Sequence, residues 1–138
     1  MIEISKTHLM GNLEALARIG AKEAIPALEK ALEANDGSKL HFVAPIALMF
    51  LEPGNEDYVR LAVPNLGKAL QLSSGSVRRE AAMTLASIGP KAAPALENLK
   101  AVLADPDPSI RNAALLALAA IGPESTGAIP LILQQMGD

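Results

Sequence analysis

The chain has 138 residues, a net charge of −3, half its residues apolar, and neither cysteine nor tryptophan. That length suits a single domain, residues 1–138, able to bury a core. The missing cysteines exclude a disulfide framework and a thiolate metal site, and the acidic balance argues against binding of nucleic acid by the chain as a whole. Phe42, Phe50 and Tyr58 are the only aromatic residues, so the core must be made of Ala, Leu, Ile and Val, a composition suited to closely packed helices. The start, MIEISKTHLMG, lacks the basic segment and long apolar run of a secretion signal. The longest apolar runs, FVAPIALMFL and AALLALAAI, fall short of the ~20 residues that cross a bilayer. A cytoplasmic setting without membrane contact is the expectation.

Along the chain one pattern recurs. In residues 5–35 the segment LEALARIGAKEAIPALEKALEAND carries Ile19-Gly20, then Pro26 and Leu28. In residues 36–72, Leu40, Ala44, Leu48 and Leu51 fall at helical spacing, and Pro64 and Leu66 follow. Aligned on its proline, this second repeat holds extra residues around EPGNEDY, a 52–60 insertion with Glu52, Glu56, Asp57 and Tyr58. Two arrangements fit it: a loop on a functional face, or a longer second helix capped by Asn55 and kinked by Pro64.

Residues 74–104 and 107–136 repeat most faithfully. SVRREAAMTLASIGP begins at Ser76 and SIRNAALLALAAIGP at Ser109, and eight of the fifteen positions coincide. Val77, Ala81, Leu85 and Ile88 form an apolar stripe, while Arg79, Glu80, Thr84 and Ser87 lie mostly away from it. Gly89-Pro90 should stop the helix, because glycine accepts a left-handed cap and proline cannot continue. The next helix, KAAPALENLKAVLA, has Pro94 placed in its first turn and Leu96, Leu99 and Val102 or Leu103 inward. In DPDPS, Asp107 can cap the following helix and Pro108 suits its first position. Pro130 and Ile132 close the last repeat. Two helices per unit at a period of 33–38 residues predict an α-solenoid of about four helix pairs. Each pair buries its stripe only by stacking on its neighbours.

DPDPSIRNAALLALAAIGP and SVRREAAMTLASIGP resemble bacterial HEAT repeats of the phycobilisome-lyase-like type: an acidic turn, an Arg early in the first helix, an Ala/Leu stripe, Ile-Gly, and a proline in the second helix. The resemblance covers residues 76–133 best, 5–35 less closely, and 36–72 only with the insertion. It implies an all-α, right-handed α-α superhelix whose second helices line the concave side, and a protein-binding scaffold as its usual role. Fold alone does not set function.

Catalysis is hard to build from these residues. His8 and His41 are isolated, with no second histidine or carboxylate three or four residues on. No nucleophile motif is present, and SSGS at 73–76 reads as a turn and helix cap. The HEAT-like deoxyhypusine hydroxylases need His-Glu steps for iron, and the chain has none. No enzyme activity and no cofactor are expected. HEAT-like DNA glycosylases carry basic faces and aromatic contacts. Here residues 60–100 do hold Arg60, Lys68, Arg78, Arg79, Lys91 and Lys100 against Glu80 and Glu97, but stacking groups are missing. Arg78 and Arg111 are expected to bond acids in neighbouring turns, with Asp105, Asp107 and the Asn35-Asp36 turn as acceptors.

A protein partner is therefore the expected ligand, and three features mark where it binds. Three and four residues past each second-helix proline lie Glu29-Lys30, Gly67-Lys68, Glu97-Asn98 and Leu133-Gln134, a ladder projecting from one face. The insertion presents Tyr58, and Tyr58, Val59 and Leu61 are positioned to fold back over Phe42 and Phe50. Outer faces also lose polarity: Arg79, Glu80, Met83 and Ser87 correspond to Phe42, Val43, Ile46 and Phe50 in the second repeat and to Asn112, Ala113, Leu116 and Ala120 in the fourth. In IPLILQQMGD, Ile129, Leu131, Ile132, Leu133 and Met136 cannot all face one repeat. A terminal repeat needs a polar cap, so further repeats, self-association or a docked partner is expected there. The candidate contact residues are Glu29, Lys30, Lys68, Glu97, Asn98, Tyr58, Leu116 and Leu133. A subunit of a bilin-lyase-like complex and a nucleic-acid-binding protein are the alternatives.

Overall fold

The structure, a computed structural model, describes residues 15, 16, 19, 21–34 and 39–137. His8, the first helix of the first repeat before Ala15, and the Asn35-Asp36 turn lie outside the described residues. The elements are α1 (Ile25–Ala34), α2 (Lys39–Leu51), α3 (Glu56–Ala69), α4 (Gly75–Ile88), α5 (Leu96–Val102), α6 (Pro108–Ile121) and α7 (Ile129–Met136). Short 3-10 turns occupy Lys22–Ala24, Gly89–Ala95 and Pro123–Ala128, and no strand occurs among the described residues. The all-α repeat architecture is thus observed. The chain divides into two compact units, Met1–Asn65 and Leu66–Asp138, with the end of α3 in the second.

In the first unit α1 packs on α2. It contributes Leu28 and Ala31, one turn apart on its amphipathic face. α2 is apolar all round and is buried to match: Val43, Ala44, Ile46, Ala47, Leu48 and Leu51 are each at most 8% exposed. The expected outer face of this helix is therefore half covered, since Val43 and Ile46 are core residues and Phe42 and Phe50 are half-buried. Pro45 lies inside α2 and removes one N–H from its ladder. Near that break the Phe42 carbonyl accepts a hydrogen bond of 2.7 Å from Asn65 Nδ2 on α3.

In the second unit α4 and α6 pack side by side, with α5 against α6. Alanine lets them do so: Ala81, Ala82, Ala114 and Ala117 are fully buried, and interaxial distance follows side-chain size at the contact. Val77, Leu85, Leu99, Leu103, Ile110 and Leu118 fill the remainder at 1% exposure or less, each contributing about 1.5–3 kcal/mol by burial. Thr84, a buried polar side chain, donates from Oγ1 to the Glu80 carbonyl at 2.8 Å within its own helix.

Helix boundaries follow the sequence signals closely. Ser74 Oγ accepts from the Val77 amide, and Asp107 Oδ1 accepts from the Ser109 amide at 2.8 Å and its hydroxyl at 2.9 Å. Gly89 (φ 77°, ψ −138°) and Gly122 (φ 89°, ψ −142°) end α4 and α6, each donating its N–H to the carbonyl four residues back. Their ψ values place them in the mirror image of the β region instead of the expected left-handed helical cap, a conformation open almost only to glycine.

Candidate interaction surface

The second-helix positions picked out from the sequence keep their spacing in three repeats and shift in the third. A buried alanine recurs in the second helices, Ala62 midway along α3 and Ala95 and Ala128 just before α5 and α7, all at 1% exposure or less, with a counterpart in Ala24 of the first repeat. Proline follows this alanine by two residues at Pro26, Pro64 and Pro130, but Pro94 precedes its alanine and lies in the 3-10 turn before α5. A proline is tolerated anywhere among the first-turn positions whose N–H groups lack partners, and Pro64 even lies inside α3, so proline marks the register loosely, whereas the alanine is buried at Ala62, Ala95 and Ala128 alike. The third-repeat equivalents of Glu29-Lys30, Gly67-Lys68 and Leu133-Gln134 are consequently Lys100-Ala101, not Glu97-Asn98. Counting from the buried alanine would have found Lys100 in the sequence.

Exposure varies along the ladder. Glu29, Lys30, Lys68, Glu97, Leu133 and Gln134 are exposed. Gly67 is buried, and a Cβ there would meet Asn98 Nδ2 at 2.5 Å, so it is a seat for Asn98 and projects nothing. Asn98 is half-buried and accepts from Gln71 Nε2 at 2.9 Å. Glu97 accepts from Lys100 Nζ at 3.2 Å, with the glutamate side chain almost wholly in solvent.

The insertion leads into a longer second helix, with Pro64 inside α3. Asn55 Oδ1 accepts from the amides of Asp57 (3.0 Å) and Tyr58 (3.4 Å), capping α3. Tyr58 turns toward α1 and donates its hydroxyl to Glu29 Oε1 at 2.9 Å. This joins two of the expected contact residues; next to it Val59 is 9% exposed and Leu61 47%. Partial burial, then the Glu29 hydrogen bond and charge, then Glu52 and Asp57, raise the phenol above its ordinary value. His41, half-buried, places Nδ1 2.9 Å from the Ala31 carbonyl. Among the described residues no three His, Cys, Asp or Glu side chains converge to hold a metal.

The two repeat arginines bind turns. Arg78 donates from Nε to Asp105 Oδ2 at 2.8 Å and from Nη1 to the carbonyls of Leu72 and Ser73, both at 2.9 Å. Arg111 repeats the carbonyl pair, Nη1 donating to Asp105 (2.7 Å) and Pro106 (3.2 Å). Of the acceptors named from the sequence, Asp105 takes the carboxylate role. Asp107 instead caps α6, and those hydrogen bonds, followed by Arg79 and Arg111, hold its carboxyl below the ordinary aspartate value.

The fourth repeat exposes what the third buries. Leu103 is 1% exposed and its equivalent Met136 is 78%; Leu99 is fully buried and its equivalent Ile132 half-buried. Ile129, Leu131 and Leu133 on α7 are 49%, 38% and 60% exposed, and Leu116 on α6 is exposed as well. Ala113, placed on the outer face by pattern, is buried. Two clefts border α7. One of about 290 Å³ lies between Leu115, Leu118 and Ile132. The other, about 440 Å³, is lined by Lys100, Asp105, Arg111, Leu131 and Gln134 among others.

A family model described as HEAT repeats matches residues 63–138, more than half of the chain. A second, described as PBS lyase HEAT-like repeat, matches residues 12–34. Neither curated proteins nor solved structures return a match. Among the described residues no helix is long and apolar enough to cross a membrane.

Proposed function

Since the chain belongs to the HEAT-repeat family, we propose that it is a non-catalytic scaffold that binds another protein, through the open face of α7 and the polar positions along its second helices. The exposure of Met136, against full burial at the equivalent Leu103, carries this reading: an apolar surface of repeat-interface chemistry is presented outward. Leu116, Leu131 and Leu133 extend it, and Lys30 and Lys68 supply polar contacts. Arg60 pairs with Asp57, Arg78 with Asp105 and Lys100 with Glu97, which draws down the basic stretch and weighs against nucleic acid.

The test compares wild type with Leu133→Glu/Met136→Glu, both at exposed sites, as bait in nuclease-treated lysate of the encoding organism. Recovered complexes are weighed by light scattering. A stoichiometric protein held by the wild type and lost by the variant supports the reading, and charge reversal at Lys30 and Lys68 then maps the rest. A wild-type dimer that the variant breaks makes the partner a second copy. Monomeric bait without partner overturns the scaffold.

The match at residues 12–34 favours one other reading, a component of a bilin-lyase-like complex. Tetrapyrrole added to the purified chain reads this out: no change in the bilin absorbance band removes it.

A further inference from the structure

Among the described residues, one cleft of the second unit lacks a contact that the preceding repeat completes. Arg78 reaches two carbonyls six and five residues back, and Arg111 does the same at the same spacings. Arg78 then closes on a carboxylate 27 residues ahead, Asp105 Oδ2 at 2.8 Å. Among the described residues no carboxylate pairs with Arg111. Its guanidinium instead lines the 440 Å³ cleft with Lys100, Leu131 and Gln134. Asp105 also lines this cleft, but its carboxylate is already engaged by Arg78 Nε and by the Asp107 amide at 3.0 Å. Lys100 beside it pairs with Glu97, whose side chain is 82% exposed, and the Asp107 carboxylate is taken up by the Ser109 cap, so Arg111 is left without a carboxylate among the described residues. A guanidinium anchored on one edge and open on the other is preorganised for a carboxylate.

We propose that this cleft is a carboxylate-binding site that receives an aspartate carried on an acidic turn of a partner polypeptide. The occupant is argued from the chain's own template: at the equivalent place Arg78 holds Asp105, and the Asp105–Asp107 turn around it is rich in proline and acid. Charge complementarity sets the carboxylate against Arg111 and Lys100, while Leu131 offers apolar contact to the flanking turn residues. The proposal rests on the scaffold reading and gives it a chemical specificity.

The probe is a capped peptide with the sequence of residues 102–111, titrated into the 15N-labelled full chain. The Arg111 Nε–H resonance and the Lys100 and Gln134 amides are followed by NMR. Saturable shifts at these groups are expected, with affinity lowered at least tenfold when the peptide residue corresponding to Asp105 is asparagine. Arg111→Lys, which keeps a donor for the turn carbonyls, and Lys100→Gln, which leaves that turn untouched, should each weaken binding severalfold while the remaining spectrum stays folded. Absence of shifts, or equal affinity for the asparagine peptide, overturns the proposal; partner capture through the apolar α7 face would still leave the scaffold reading standing. Asp138 stands the same 27 residues after Arg111. If Asp138→Asn moves the Arg111 Nε–H resonance and tightens peptide binding, the chain's own carboxylate is the occupant and the partner assignment falls.

Discussion

Replacing Arg78 with alanine should cost far more stability than the same change at Arg111, although the two arginines hold one position in successive repeats. Arg78 makes three charge-assisted hydrogen bonds, one of them to a carboxylate whose side chain is only 7% exposed. Its removal strands that carboxylate with the Asp107 amide as its remaining partner. Breaking a buried pair costs about 3–5 kcal/mol, and the 20% exposure of Arg78 places this one near the low end, about 3 kcal/mol. Arg111→Ala loses only hydrogen bonds to turn carbonyls that water can replace, about 1 kcal/mol. Urea unfolding followed by far-UV circular dichroism measures both. Equal costs to within about 0.5 kcal/mol, the usual error of such comparisons, would refute the reasoning. Asp105→Asn combined with Arg78→Ala should then cost less than the sum of the two single changes.

Leu99→Ala and Leu118→Ala, at 0% and 1% exposure, should each destabilise by about 3–5 kcal/mol, whereas Leu116→Ala, half exposed, should stay within about 1 kcal/mol; chemical denaturation separates them. Gly122→Ala forces a side chain into φ 89° and should cost about 1–3 kcal/mol, read as a lowered urea midpoint. The single tyrosine permits a clean ultraviolet titration: Tyr58 should ionise above 10.0, and Glu29→Gln should move it part of the way back. Because its folded value is raised, its contribution to stability is full below about pH 10 and is lost as pH climbs through the folded value. Asp107 runs the other way. Its folded value lies below 3.8, so its stabilisation is full above that pH and disappears as acid takes the pH through the depressed value; unfolding curves of wild type and Asp107→Asn should differ at neutral pH and converge in acid.

What could be read in advance was whatever local chemistry determines. The apolar stripe through Val77, Ala81 and Leu85, the glycine stops at 89 and 122 and the Asp107 cap depend on neighbours within a few residues, and all stand in the structure. The register of the third second-helix did not. Pro94 and Pro130 look equivalent in sequence, yet proline only needs to avoid donating an N–H, and the buried alanine lies one residue after Pro94 but two before Pro130. Tertiary partners were legible by type alone: an acid for Arg78 was expected, but Asp105 over Asp107 emerges only from the turn geometry that commits Asp107 to Ser109. The Tyr58–Glu29 contact spans 29 residues and has no local signal.

The division into two units has an optical consequence. Phe42, Phe50 and Tyr58 all fall within Met1–Asn65, and Leu66–Asp138 has no aromatic residue at all. Near-ultraviolet dichroism and tyrosine emission therefore watch the first unit only, while the peptide bands watch both. A melt recorded in the two spectral windows sets the first unit against the whole chain, and any lag between the traces measures how far the second unit can come apart on its own. A tryptophan-bearing partner docking on α7 would bring its signal into a spectrally silent background.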